Sequence, residues 1–240
     1  MNALYDRIGR DYDLTRKADP RIAQRILSLL NASNGGAYLD LACGTGNYTI
    51  ALSNMGLMIH GIDQSELMIS RAKEKAAQME WQVGDAEALP FPAESLQGVT
   101  CILAIHHFKN VRDAFMEVFR VIDKGRFVIV TAYPDQMMGY WLNEYFPRAM
   151  RRGMRQMLSK TALFAELEIA GFKPSVEETF EVPRDLQDLF LQSGKYKPEI
   201  YLRPEVRAGI STFANLASER KSRKGAGGSS RTSSPGALTK

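Results

Sequence analysis

The sequence predicts an α/β protein built on a doubly wound, mostly parallel sheet, and three observations carry that expectation. Strand-length apolar runs alternate with helix-patterned segments from residue 20 to residue 132. The run Leu96 to Ile105 is almost continuously apolar, as a central strand covered on both faces requires. A turn with two glycines, Cys43-Gly44-Thr45-Gly46, joins one buried strand to a helix, so the backbone can approach a ligand closely where free N–H groups gather.

The elements follow in order. Asp19-Pro20 reads as N-cap and first helical residue, and Ile22, Ile26, Leu29 and Leu30 make one apolar face, so a helix spans about 20 to 31 and closes an N-terminal helical cap of residues 1–31. The first strand runs from Ala37 to Leu41, and the helix after it ends near Gly56. A second strand covers Leu57 to Ile62, a helix covers Ser65 to Gln78, and a short third strand lies near Glu80 to Val83. The central strand precedes a helix from Val111 to Ile122, and Arg126 to Ala132 supplies the fifth strand before Tyr133-Pro134. Beyond it, methionines and aromatics from Met137 to Met157 interleave with Arg148, Arg151, Arg152 and Arg155, giving a helical lid over about 135–160 that could roof a substrate pocket. A helix near Thr161 to Ala170, a strand from Phe172 to Val182, and helices over 184–193 and 204–217 complete the domain, which is expected to occupy residues 1–219.

Composition bounds the rest. Of 240 residues, 45% are apolar and 24% charged, enough for one sizeable core. The formal charge of +4 arises from residues 220–240, which hold Arg220, Lys221, Arg223, Lys224, Arg231 and Lys240 with no acid. Residues 1–219 carry a net −2, so the basic balance belongs to the tail, whose Gly/Ser-rich composition predicts disorder. No secretory or membrane-spanning run stands out, and Cys43 and Cys101 read as free thiols, so a cytoplasmic location is expected.

The acids around the glycine turn point to a cofactor. Asp40 precedes Gly44 by four residues, where a carboxylate could meet the ammonium of a methionine moiety but would repel a pyrophosphate. Thr49 stands where a dinucleotide fingerprint needs a third small residue. A nicotinamide-dependent oxidoreductase is therefore the weaker alternative, and a cofactor-binding protein without activity is another. The stretch Asp40-Leu41-Ala42-Cys43-Gly44-Thr45-Gly46 resembles the first motif of the class I S-adenosylmethionine-dependent methyltransferases, and the likeness is closest to the small-molecule, ubiquinone and menaquinone biosynthesis branch (type 11). It extends to Tyr5-Asp6-Arg7-Ile8-Gly9 and Tyr12-Asp13, a segment that folds over the cofactor in relatives.

The resemblance implies a Rossmann-like methyltransferase fold with S-adenosyl-L-methionine as cofactor. It places Asp63 on the ribose, Asp85 on the adenine amino group with Ala86 beside it, and Met68 over the adenine face. Ala42, Gly44, Thr45, Gly46, Asn47, Gln64, Gly84 and Ala104 belong to the same cofactor set. Tyr12 and Arg16 either pack as an ordinary helix or reach the methionine carboxylate.

Ala104-Ile105-His106-His107 places two histidines after the central strand. Histidine has a suitable proton affinity for a general base, and His106 is the first candidate and His107 the second. Trp141 and Tyr145 are expected on the acceptor. There is no Asn/Asp-Pro-Pro-Tyr/Phe segment, no Pro-Cys nucleophile and no acid cluster for a metal. The expected acceptor is therefore a small, partly apolar metabolite methylated at oxygen, carbon or nitrogen. No nucleic-acid partner is expected, and the chain should be a monomer or homodimer.

Overall fold

The computed structural model describes residues 12–33, 35–173 and 175–214. The Tyr5–Gly9 motif and the basic tail lie outside the described residues. Five parallel strands, β1 (Ala37–Leu41), β2 (Met58–Asp63), β3 (Trp81–Val83), β4 (Leu96–Ile102) and β5 (Ile122–Val130), form one sheet in the order β3-β2-β1-β4-β5. The chain winds outward from β1 in one direction and then restarts at β4 in the other. The crevice at the carboxyl ends of β1 and β4 is therefore the topological switch point where such sheets take ligands.

Strand parity sorts the core into two layers. Leu39, Leu41, Val99 and Cys101 face α4 (Val111–Val121), whose Phe115, Val118 and Val121 are fully buried, while Tyr38 and Ile59 face α1 (Pro20–Leu30) and α2 (Asn47–Asn54) through Ile22, Ile26 and Leu52. Between β2 and β3 comes α3 (Glu66–Lys75), with the Ser65 hydroxyl accepting from the Met68 N–H as its N-cap. Asp19 and Pro20 open α1 as the sequence predicts, Asp19 accepting from the Arg21 N–H.

Three boundaries differ for identifiable reasons. The central strand stops at Ile102 because Leu103 takes φ +53° and residues 105–107 wind into a 3-10 turn. β5 starts earlier than expected because Ile122 already pairs with Leu96, across a bulge in which a Cβ on Gly125 would lie 2.0 Å from the Gln97 carbonyl oxygen. The expected strand from Phe172 to Val182 is absent: its residues 175–182 are largely exposed, and its acids reach outward to Arg25, Lys160 and Lys195 instead of into a ladder.

After β5 the helical insertion is present as α5 (Pro134–Met138), α6 (Leu142–Tyr145) and α7 (Pro147–Gln156), followed by α8 (Lys160–Ile169). Pro134 and Pro147 each begin a helix, so the segment breaks into short pieces around its own core of Met137, Leu142, Met150, Val206 and Phe213. No helix forms over 184–193, because its backbone bonds elsewhere: the Leu189 N–H donates to the Thr15 carbonyl and the Gln187 N–H to the Asp19 carboxylate. The last expected helix forms as α9 (Pro204–Ala208), breaks at Gly209 and resumes at Ser211. Among the described residues, no helix is long and apolar enough to cross a membrane.

Candidate active site

The glycine turn divides its labour. Gly44 has φ +57° and nothing within 4 Å of where a Cβ would stand, so its face is open to the crevice. Gly46, the N-cap of α2 at φ +76°, is closed off: a Cβ there would lie 2.3 Å from the Trp81 ring. Gly46 is not among the residues lining the two lobes, and its positive φ and the Trp81 ring against its Cα account for glycine there through helix entry and packing. Gly84 does line the crevice, although a Cβ there would also meet Ile62 at 2.5 Å.

Asp40 sits on the α2 side of β1, opposite Thr100 of β4. Its carboxylate accepts from the Thr49 hydroxyl at 2.6 Å and the Thr100 hydroxyl at 2.9 Å, and it is 2% exposed. Burial pushes its pKa up to about 6, against the pull of the two hydroxyls. Thr49 thus occupies the third small-residue position because it holds Asp40. Asp63, at the end of β2, accepts from the Gly44 N–H at 2.9 Å and the Ser65 N–H at 2.9 Å, and burial raises its pKa as well.

Two lobes of crevice flank Gly44. One is lined by Asp63, Gln64, Gly84, Asp85, Ala86 and Ala104 with Leu41 and Ile62 behind them; the other by Asp40, Ala42, Cys43, Thr45, Asn47 and Tyr48. Asp85 accepts from the Glu87 N–H, which fixes the loop. Met68 is fully buried in α3 and lines neither lobe, because its position on the helix points it into the core.

A strap made of the 3-10 turn Tyr12–Leu14 and residues to Asp19 covers the second lobe. The Thr45 hydroxyl and the Asn47 amide both donate to Asp13, at 2.5 and 2.8 Å, and Lys75 pairs with the same carboxylate. Arg16 forms a buried ion pair with Asp188 at 2.5 Å, lies over the Tyr12 ring, and lines both this lobe and a third cavity. Asp188 also accepts from the Tyr48 hydroxyl. Sequence reading placed Asp13 only in the segment that folds over the cofactor in relatives and assigned no role to Asp188; no local signal marks Asp188, whose partner is 172 residues away.

That third cavity lies under the helical insertion. Leu103, Met137, Met157, Phe190, Leu191 and Ile210 make it apolar, and His106, His107, Gln156, Gln192 and Thr212 supply its polar groups. The histidine rings stand 3.9 Å apart, and His107 also lines the Asp63 lobe. The His106 Nδ1 is buried and has no hydrogen-bond partner among the described residues. Burial, with Arg16 adding repulsion, lowers the His106 pKa to about 4; burial, His106 and Arg16 lower that of His107 to about 3. Both imidazoles are therefore neutral at pH 7. Trp141 and Tyr145 do not line this cavity. Trp141 packs among Tyr140, Tyr145 and Tyr201, and Tyr145 is 69% exposed, because the proline break before α7 turns that part of the insertion outward. Its methionines do reach the cavity, through Met137 and Met157.

Comparison with known proteins agrees with this layout. Residues 39–130 match the family described as a methyltransferase domain. The crystal structure of a methyltransferase assigned to an antibiotic biosynthesis pathway of Anabaena variabilis superposes with a TM-score of 0.78 at 37% identity, covering 88% of this chain and 84% of that one. A demethylmenaquinone methyltransferase of Bacillus licheniformis is 29% identical over 81% of this chain and 87% of its own length. One from Thermotoga maritima is 34% identical over 55% of this chain, and the match spans 61% of that relative's length.

S-adenosylmethionine fits the residues present. Gly44 leaves a cradle that a Cβ would fill, and the buried carboxylate of Asp40 and the half-buried one of Asp63 flank it, one suited to an ammonium and the other to a diol. The sheet order, the open glycine between two acids and the 84% coverage of a 37% identical methyltransferase converge: the chain belongs to the class I S-adenosylmethionine-dependent methyltransferases, with S-adenosylmethionine as its cofactor.

Proposed function

We propose that this protein methylates a small, apolar, uncharged acceptor that bears an ionisable hydroxyl, such as a phenol or hydroquinone. The observation that carries the reading is the buried Nδ1 of His106, without a partner among the described residues, in a largely apolar cavity. A buried polar atom without a partner is costly, and an acceptor hydroxyl would supply the missing hydrogen bond. The cavity offers no free charge to a carboxylate or phosphate, since its arginine, Arg16, is neutralised by Asp188. Demethylmenaquinone methyltransferases among the relatives, named for a quinone, support a ring carrying oxygens.

In this reading Asp63, Gln64, Asp85 and Ala86 hold the adenosine part of the cofactor, and Asp40, with Thr45 and Asn47 nearby, holds the amino-acid end. When bound, S-adenosylmethionine supplies an electrophilic methyl group. The chain contributes alignment and exclusion of water: Tyr12 and Arg16 close one end, and Met137, Phe190 and Ile210 wall the acceptor. Orientation of this kind can supply much of the rate. His106 Nδ1 accepts the hydroxyl proton as the acceptor's oxygen or activated ring carbon becomes nucleophilic, and His107, between the two sites, orients the acceptor. A neutral imidazole is ready to accept a proton at every pH above about 4.

The test is methyl transfer from labelled S-adenosylmethionine to paired acceptors, each phenol or hydroquinone against its carboxylated and phosphorylated analogue. The neutral member should be methylated faster, and His106→Ala should reduce turnover on the order of a hundredfold or more while leaving S-adenosylhomocysteine affinity unchanged. Preference for the charged analogues, or full turnover in His106→Ala, would overturn the proposal.

A further inference from the structure

The arginines of α7 are not used by the site. Arg148, Arg151 and Arg155 are exposed, lie on one helical face at i, i+3 and i+7, and make no ion pair among the described residues. By contrast, Arg16, Arg21, Arg25, Arg71, Arg112, Arg120 and Arg203 each pair with a carboxylate, and Arg126 and Arg207 donate to backbone carbonyls. α7 contains no acid to offset their mutual repulsion, and residues 1–219 carry a net −2, so the patch is a local concentration and not general basicity.

The surroundings of α7 are unusual in a second way. The two most exposed large apolar side chains among the described residues, Leu202 at 78% and Tyr145 at 69%, belong to segments packed with α7 around the same core, and Met138 at 60% lies on α5 beside it. Trp141 lies between the first two, its ring 5.7 Å from that of Tyr145 and 5.8 Å from that of Tyr201, the neighbour of Leu202. Guanidinium groups that fork onto phosphates, on a helix whose packing neighbours carry apolar side chains left uncovered by the described residues, match the headgroup and acyl zones of a bilayer surface. A nucleic-acid backbone would satisfy the arginines but offer no apolar phase to Leu202 and Met138. α7 also supplies Gly153 and Gln156 to the lining of the acceptor cavity, so the outer charge and the cavity share one helix.

We propose that the helical insertion docks the protein on an anionic phospholipid surface through Arg148, Arg151 and Arg155, with Tyr145, Leu202 and Met138 entering the interface, and that the acceptor is taken up from that surface. The docking half is independent of the methyl acceptor, because it is read without turnover. The full chain should cosediment with vesicles of phosphatidylcholine mixed with phosphatidylglycerol and not with phosphatidylcholine alone. R148Q/R151Q/R155Q should lower partitioning by roughly fivefold per arginine, on the order of a hundredfold in all. L202S should weaken it several-fold without altering its salt dependence. Unchanged thermal unfolding and S-adenosylhomocysteine binding would certify that the triple variant is folded. Vesicle binding by the triple variant equal to the parent's, equal binding to neutral vesicles, or binding to duplex DNA with none to vesicles would each overturn the proposal.

Discussion

Replacing Asp40 by asparagine should make the unliganded protein more stable and the liganded one weaker, and both effects can be sized from the site. The carboxylate titrates at about 6 in the folded protein, against an ordinary 3.8. That gap of roughly two units means that ionising Asp40 costs the native state up to about 3 kcal/mol above pH 6. The sign follows from the direction: a raised folded pKa contributes stability that is complete below pH 3.8 and lost as pH rises through 6. Asparagine removes the charge and keeps one acceptor for Thr49, while the Thr100 hydroxyl can turn toward the Leu39 carbonyl oxygen at 3.5 Å and accept from the new amide. At pH 8 the variant should therefore gain about 1–3 kcal/mol, roughly 3–10 °C in Tm, and the gain should vanish by pH 4. Affinity for S-adenosylhomocysteine, whose ammonium loses its counter-charge, should fall by about 2–4 kcal/mol, and its decline below pH 6 in the parent should disappear. Thermal unfolding at several pH values and calorimetric titration read the two effects separately. A variant that is less stable at pH 8, or that binds the product as tightly as the parent, would refute the reasoning.

The two glycines of the turn should separate in the same assays. Gly44→Ala should cost only about 1–2 kcal/mol of stability, from its positive φ, yet weaken product binding, whereas Gly46→Ala must displace the Trp81 ring and should cost about 3 kcal/mol or more. Asp188→Asn leaves the Arg16 guanidinium buried without its counter-ion and should lower stability by about 3–5 kcal/mol in urea unfolding, with no such loss in the double variant that also carries Arg16→Met. His106 has its folded pKa lowered to about 4, so its contribution to stability is present above pH 6.5 and lost as pH falls toward 4. Between those values parent stability should fall by about 1.4 kcal/mol per pH unit from this group, and His106→Gln should remove that slope in denaturant titrations at pH 7, 5.5 and 4.5.

The cofactor half of the site was legible because its determinants are local. Asp40, Gly44, Asp63 and Asp85 end successive strands or lie just after them, and a parallel sheet brings such positions to one edge whatever the details of packing. Strand parity even pairs Asp40 with Thr100, which the sequence contains but does not announce. Where tertiary demand is not local, the pattern says less. Met68 sits one turn into a helix whose face is core, Gly46 packs against an indole 35 residues on, and the segment after Phe172 has β-like composition yet is exposed, its acids paired outward.

By itself, then, the sequence determined the sheet, its crevice and the methyl donor, since hydrophobic period, glycine placement and strand-end acids are properties of short windows of chain. Only the tertiary structure decided what closes over the crevice and what lines the cavity under the helical insertion. The Arg16–Asp188 pair, the Asp13 latch onto Thr45 and Asn47, and the Phe190 and Ile210 walls join residues far apart in the chain, and the choice of Met137 and Met157 over Trp141 and Tyr145 depends on how short helices broken by prolines fold back on one another. Contacts of that range are fixed by packing and by the pairing of buried charges, neither of which leaves a period in the sequence to read.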